Sequence, residues 1–169
     1  MTSVTVTSNS EATVNKSRVS KTEIKLATVD EMLAKASVLF EEHYEEIARN
    51  KEVMKLKPDE KAYRNLEEAN QIFILSAWQD DVLIGYSVNF VLNHPHYADL
   101  VLAQNDLLYI KKEMRGSRAG LKLIKQTETH AKSLGCKLML WHAKENTALG
   151  AILPRLKYGV QDIIYSKEL

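Results

Sequence analysis

The stretch Leu107 to Ile124 (Leu-Leu-Tyr-Ile-Lys-Lys-Glu-Met-Arg-Gly-Ser-Arg-Ala-Gly-Leu-Lys-Leu-Ile) holds the residues of this chain best suited to chemistry. A short apolar run, Leu107 to Ile110, passes through a basic, glycine-bearing turn, Arg115 to Gly120, into an amphipathic segment carrying Leu121, Leu123, Ile124, Ala131 and Leu134. A strand that feeds a helix through such a turn leaves backbone N–H groups unpaired at the positive end of the helix dipole, an arrangement that binds phosphate. Arg115 and Arg118 could add direct charge there; a plain solvated turn would carry the same two arginines. Two titratable residues flank apolar runs, Asp106 before Leu107 and His142 after Lys137 to Trp141. An imidazole needs little tuning to take a proton near neutral pH, whereas a carboxylate must first be desolvated. A strand-end histidine bonded to backbone is the plainer reading of His142. His94 and His96 flank Pro95 without a nearby cysteine or acidic cluster, which makes a poor metal site. His43 falls on an apolar helical stripe and reads as a core histidine, and Glu45 and Glu46 read as a solvated face.

Composition narrows the classes of function. The 169 residues suit one domain, and 45% hydrophobic content is enough for a sizeable core. Lys and Arg number 23 against 22 Asp and Glu, so the balance argues against nucleic acid or an anionic membrane surface as a partner. The single cysteine, Cys136, excludes an internal disulfide and a cysteine-rich metal site. No apolar run approaches the roughly 20 residues of a membrane span, and the N-terminus lacks the pattern of a signal peptide. A cytoplasmic protein is the expectation.

The elements that must position these residues follow from periodicity. Residues 1–21 read as a poorly ordered N-terminal tail, and 22–169 as the domain. A first strand is predicted at Glu23 to Leu26. Thr28 and Glu31 then fit a capping box opening a helix with Met32, Leu33, Ala36, Leu39, Phe40, His43 and Ile47 at helical spacing. A second helix starts at Pro58. Ile72 to Trp78 and Val82 to Val91 form a hairpin about Gln79-Asp80-Asp81. After the Leu107 strand and its helix, Gly135 stops the helix. Lys137 to Trp141 is a central strand, Asn146 opens a last helix, and Val160 to Ser166 supplies closing strands.

This order resembles that of the GCN5-related N-acetyltransferases (the GNAT superfamily). Four features carry the resemblance over residues 22–169: Leu83-Ile84-Gly85-Tyr86, the turn Arg115-Gly116-Ser117-Arg118-Ala119-Gly120, Asn146 with Ala148, and Tyr158 ahead of Tyr165. The turn is similar to the family's Arg/Gln-x-x-Gly-x-Gly/Ala signature, with Arg118 in place of the middle glycine. Glu42 to Ile47 and the Tyr165-Ser166-Lys167 ending look like bacteriophage-encoded members, for which the compartment would be the host cytoplasm. The resemblance implies an α+β fold with a mixed, mostly antiparallel central sheet of six to seven strands flanked by about four helices. It implies acetyl-CoA as co-substrate, held by Leu108, Tyr109 and Ile110 of a splayed strand, by Arg115, Gly116, Ser117, Arg118, Ala119 and Gly120 of the turn, and by Asn146. Asp106 and His142 are the candidates for the catalytic base. The acceptor would be an amine of a small molecule or protein; a homodimer is left open. The family's usual tyrosine acid falls at Leu153, with Lys157 at the motif's glycine position and Tyr158 at its aromatic. That loss favours an alternative, a non-catalytic protein of the same fold with a structural or host-interaction role.

Overall fold

The structure, a computed structural model, describes residues 21–169; the expected tail lies almost wholly outside the described residues. One five-stranded sheet runs in the order β1 (Glu23–Ala27), β2 (Ile72–Gln79), β3 (Val82–Asn93), β4 (Val101–Ile110), β5 (Leu138–Leu140). The first four strands are antiparallel to their neighbours, and β5 is parallel to β4. Helices α1 (Val29–Lys35), α2 (Ser37–Ile47) and α3 (Glu60–Glu68) cover one face. Helix α4 (Ala119–Ser133) packs on the other, and the short α5 (Ala148–Ile152) follows β5. The fold is the expected α+β class.

Local chemistry explains most boundaries. Thr28 and Glu31 close a capping box at 3.1 and 3.0 Å. Asp80 and Asp81 both take left-handed φ, 47° and 63°, as a two-residue hairpin turn requires. Gly135, at φ 84°, ends α4.

Six expectations need correction. The strand expected from Leu107 begins at Val101, and β5, expected to be central, is an edge strand of the described sheet. The first helix is two, broken at Ala36, whose φ of −110° leaves the helical region and lets α2 turn over the sheet. The second begins at Glu60, not Pro58, with Asp59 accepting from the Ala62 N–H at 3.0 Å. Thr147, not Asn146, caps α5; Asn146 sits one residue earlier at φ 62°. Val160 to Ser166 forms no strand, so the described sheet has five strands rather than six or seven. Val160, Ile163, Ile164 and Tyr165 stand at 71–88% exposure, and without a neighbouring strand they bury nothing.

Two apolar clusters sandwich the sheet. On the α1–α3 face, Val29, Met32, Leu39, Ile74, Tyr86, Val88 and Tyr109 interlock; on the α4 face, Phe73, Leu75, Ile84, Ala103, Ile110 and Leu123 do so. Gly85 of β3 stands opposite Ile110 of β4. A Cβ there would collide with Ile110 Cδ1 and the Tyr109 carbonyl oxygen. Gly85→Ala should therefore lower stability by about 2 kcal/mol or more through overpacking against backbone. Urea denaturation would show it, and a loss within about 0.5 kcal/mol would contradict the tight approach.

Candidate active site

The site grows out of an irregularity in β4. Val88 pairs with Leu107 on β4, but the next residue of β3, Asn89, pairs with Asn105. Asp106 is thus the extra residue of a β-bulge. Alternation resets there: Ala103 faces α4, whereas beyond the bulge Leu107 and Tyr109 face α1–α3, and Leu108 and Ile110 face α4. Asp106 emerges exposed on the α1–α3 face, where the Tyr63 hydroxyl of α3 donates to its Oδ2 at 2.9 Å.

At the same place β4 and β5 part. Their ladder has only three pairs and stops at Gln104 opposite Leu140. Beyond it the Asn105 side chain, 2% exposed, reaches across the gap. Its Oδ1 accepts from the His142 N–H, and its Nδ2 donates to the His142 carbonyl at 3.4 Å. A side chain now occupies the space where backbone would pair, so residues 105–110 present an open edge. The Lys111 N–H donates to the Ile84 carbonyl at 2.9 Å, which fixes the alternation. Leu107 and Tyr109 turn their backbone groups to β3, and Leu108 and Ile110 turn theirs to the opening.

The open edge leads into the turn. Ser117 folds back, its Oγ donating to the Met114 carbonyl at 2.6 Å. Arg118 precedes α4 at φ 67°, the left-handed conformation that the resemblance assigns to a glycine. No side chain caps α4, and among the described residues the N–H groups of Gly116, Arg118, Ala119 and Gly120 have no backbone acceptor outside the helix. A Cβ on Gly120 would meet only Ile110 Cγ1, at 3.8 Å. The protein itself leaves room there, so the space beside Gly120 suits an anion approaching the amides.

Arg115 behaves differently from expectation. Both its Nη atoms donate to Glu46 of α2 at 2.8 Å, and its Nε donates to the Ile110 carbonyl at 2.9 Å. Its guanidinium also lies 5.5 Å from the Tyr109 ring centroid. The bidentate arginine holds the Glu46 carboxyl below the usual carboxylate range. Tyr109 is 4% exposed, its hydroxyl donating to Glu42 at 3.0 Å, and burial with that hydrogen bond pushes its pKa up to about 12. His43 stacks on Tyr109 at 4.9 Å between centroids, with its Nδ1 2.8 Å from the Tyr86 hydroxyl. Burial lowers its pKa to about 4, with Glu46 opposing and Lys144 and Arg115 reinforcing the shift. The buried helical histidine is as expected; the role of Glu46 as a partner for Arg115 lies outside the reading of a solvated face.

Of the sequence candidates, the structure gathers Asp106, Leu108, Ile110 and His142 about the β4–β5 opening, and Gly116 to Gly120 at its mouth. His142 is exposed at the end of β5. Asn146 lies on the loop beyond it, not on α5. His94 and His96 sit on the β3–β4 hairpin, at the end of β4 remote from the turn, so they build no wall of this opening. Leu153 is buried at 8%, and Lys157 has φ 66°, matching the glycine position assigned to it. Tyr158 donates to Glu128, which also accepts from Trp141 Nε1 at 3.1 Å; burial and the Glu128 bond push the Tyr158 pKa up to about 12. The residues missed from sequence are Asn105, Tyr63 and Glu46. An asparagine or tyrosine inside an apolar pattern is a general sign of a satisfied buried polar group, but their partners lie 37 to 69 residues away.

The chain belongs to the Acetyltransferase (GNAT) family, whose profile matches residues 38–153. No curated protein sequence matches it. Among solved structures, an aminoglycoside acetyltransferase from an uncultured soil metagenomic sample superposes with a TM-score of 0.66 at 16% identity, covering 88% of this chain and 96% of its own. A ribosomal-protein-alanine N-acetyltransferase from Brucella melitensis biovar Abortus 2308 gives 0.64 at 18%, covering 88% and 97%. A glucosamine-6-phosphate N-acetyltransferase from Arabidopsis thaliana gives 0.63 at 12%, covering 88% and 98%. At such identities the likeness speaks for the fold. No helix among the described residues is long and apolar enough to cross a membrane.

The buried histidine makes a pH prediction. Its folded pKa of about 4 lies below the ordinary 6.5, so the unfolded chain takes the proton first. Stability should be full above pH 6.5 and fall as pH drops toward 4, with a slope from this group approaching about 1.4 kcal/mol per pH unit. Urea denaturation at stepped pH should show this slope in the native chain and its loss in His43→Gln. An unchanged slope in the variant would contradict the neutral, buried imidazole.

Proposed function

We propose that the protein transfers an acetyl group from acetyl-CoA to an amine. One observation carries this reading: the open backbone edge of β4 runs directly into the unpaired amides at the start of α4. A pantetheine arm can add to that edge as a strand would, using the Leu108 amide and carbonyl and the Ile110 amide. The Ile110 carbonyl is already taken by Arg115. The diphosphate fits the amides of Gly116, Arg118, Ala119 and Gly120, with the Arg118 guanidinium adding charge and Ser117 shaping the turn. Arg115 and Tyr109 serve this site by position, because the guanidinium is committed to Glu46 and the phenol to Glu42. Asn146 lies on the loop that would border the arm.

Acetyl-CoA supplies an activated acyl group as a thioester; the chain must polarise its carbonyl and free the amine of its proton. The N–H of Leu108 or Ile110 can do the first. His142, at the end of β5, is the base we assign to the second, as its imidazole can accept a proton directly or through one water. Asp106 is better placed to orient the acceptor. No tyrosine of α5 protonates the departing thiolate, since Leu153 stands at that position and Tyr158 is bonded to Glu128. Leu153 is what favours the second reading, a non-catalytic protein of the same fold.

Acetyl-CoA in saturating amount should raise the melting temperature, because a ligand bound only by the folded state stabilises it. Gly120→Val should remove that shift while leaving the unliganded melting temperature within a few degrees, since its side chain fills ligand space more than protein space. An unshifted native protein would overturn cofactor binding. Given turnover of an amine, His142→Gln should cut the rate by about 100-fold or more near neutral pH and leave the acetyl-CoA shift intact. A retained rate would move the base to a water chain.

A further inference from the structure

Asp106 has a setting that proton abstraction does not explain. The bulge pushes it out on the α1–α3 face, and the Tyr63 hydroxyl, from the far side of that layer's edge, bonds one of its oxygens at 2.9 Å. Burial and the Asp106 charge both raise the Tyr63 pKa, so the phenol keeps its proton and acts as donor only. A single donor leaves a carboxylate roughly three acceptor positions for something else. No ion pair found among the described residues includes Asp106. Several cations are committed to other groups: Arg115 to Glu46, Arg64 to Asp30 and Glu60, Arg49 to the Glu145 carbonyl at 2.7 Å, and Lys144 to the Ile47 carbonyl at 3.0 Å. The result is an oriented anion, unpaired among the described residues, beside the opening.

Building on the acyltransferase reading, we propose that Asp106, aimed by Tyr63 as a positioning residue, binds a second, non-reacting ammonium of the acceptor, so that the acceptor is a di- or polyamine. The reacting amine is the wrong ligand for this carboxylate. An adjacent anion raises an ammonium's pKa and opposes the loss of the proton that the reaction requires. A second ammonium has no such conflict, and its charge is stabilised where it stays. The spacing agrees. Asp106 lies two residues from Leu108, roughly 7 Å along a strand at about 3.3 Å per residue. A chain of three or four carbons between two nitrogens covers that distance, placing one nitrogen on Asp106 and the other at the open backbone edge. There the neutral nitrogen attacks the thioester carbonyl carbon and forms the C–N bond. The C–S bond breaks, the sulfur leaves with the electron pair, and the nitrogen's proton passes to His142 or solvent.

The test compares 1,4-diaminobutane with 1-aminobutane at saturating acetyl-CoA, reading release of free thiol. The diamine should be preferred in kcat/KM by about tenfold or more, an ordinary gain for one oriented charge contact. Asp106→Asn should bring the two amines within about twofold of each other. Tyr63→Phe should raise KM for the diamine several-fold without changing kcat, and leave 1-aminobutane unaffected, which a merely structural loss would not do. Should neither amine turn over, calorimetric titration of both into the CoA-saturated protein replaces the rate, and the same preference is expected in binding. Equal treatment of the two amines by the native protein, or an undiminished preference in Asp106→Asn, overturns the proposal. An absent acetyl-CoA melting shift is a different result: it sinks the acyltransferase reading itself. A normal shift with no diamine preference leaves that reading standing and removes only this inference.

Discussion

The gap between β4 and β5 is the constraint on which the rest of the site depends, and the Asn105 side chain holds it. Parallel strands normally continue pairing until one ends, since every unpaired backbone group in a sheet interior is costly. Here the cost is offset on the β5 side, where one buried amide satisfies both backbone groups of His142, while the β4 side stays open. The bulge at Asp106 completes the arrangement from the other side, keeping β4 bonded to β3 while it bends away from β5. The opening, the outward-facing amides of Leu108 and Ile110 and the turn before α4 are consecutive parts of one strand–turn–helix segment, so a shift at Asn105 would displace all of them together.

A second network ties this segment to the layer above. Arg115 fastens the turn to α2 through Glu46 and to β4 through the Ile110 carbonyl, while Tyr109 beneath it reaches Glu42 and stacks on His43. Charged, aromatic and neutral polar groups here bond to one another. Arg115 is accordingly a brace paired to Glu46, and helix α2 is thereby joined to the turn that leads into α4.

The fold was largely legible because local signals were strong: the Thr28–Glu31 box, the Asp80-Asp81 turn and the Gly135 stop all mark real boundaries. The break at Ala36 was not, since no proline or glycine announces it and tertiary packing alone requires it. The place of the turn between β4 and α4 could be read because glycine spacing reports its backbone geometry. The brace, the Asn105 crossing and the Tyr63–Asp106 contact could not, because each joins residues from separate elements and depends on a one-residue slip in register. The strand itself was visible only from Leu107 onward; its first part, from Val101, and the bulge at Asp106 have no letter of their own in the sequence.

Arg118 and Lys157 both hold left-handed φ at positions where the resemblance calls for glycine. A side chain there strains the folded backbone by about 1–2 kcal/mol, more than the gain from a narrower unfolded ensemble, so the surrounding fold must hold each residue in place. At both positions a turn conformation that glycine usually advertises is written instead with a cation, so the dihedral angle is visible in the structure and silent in the sequence.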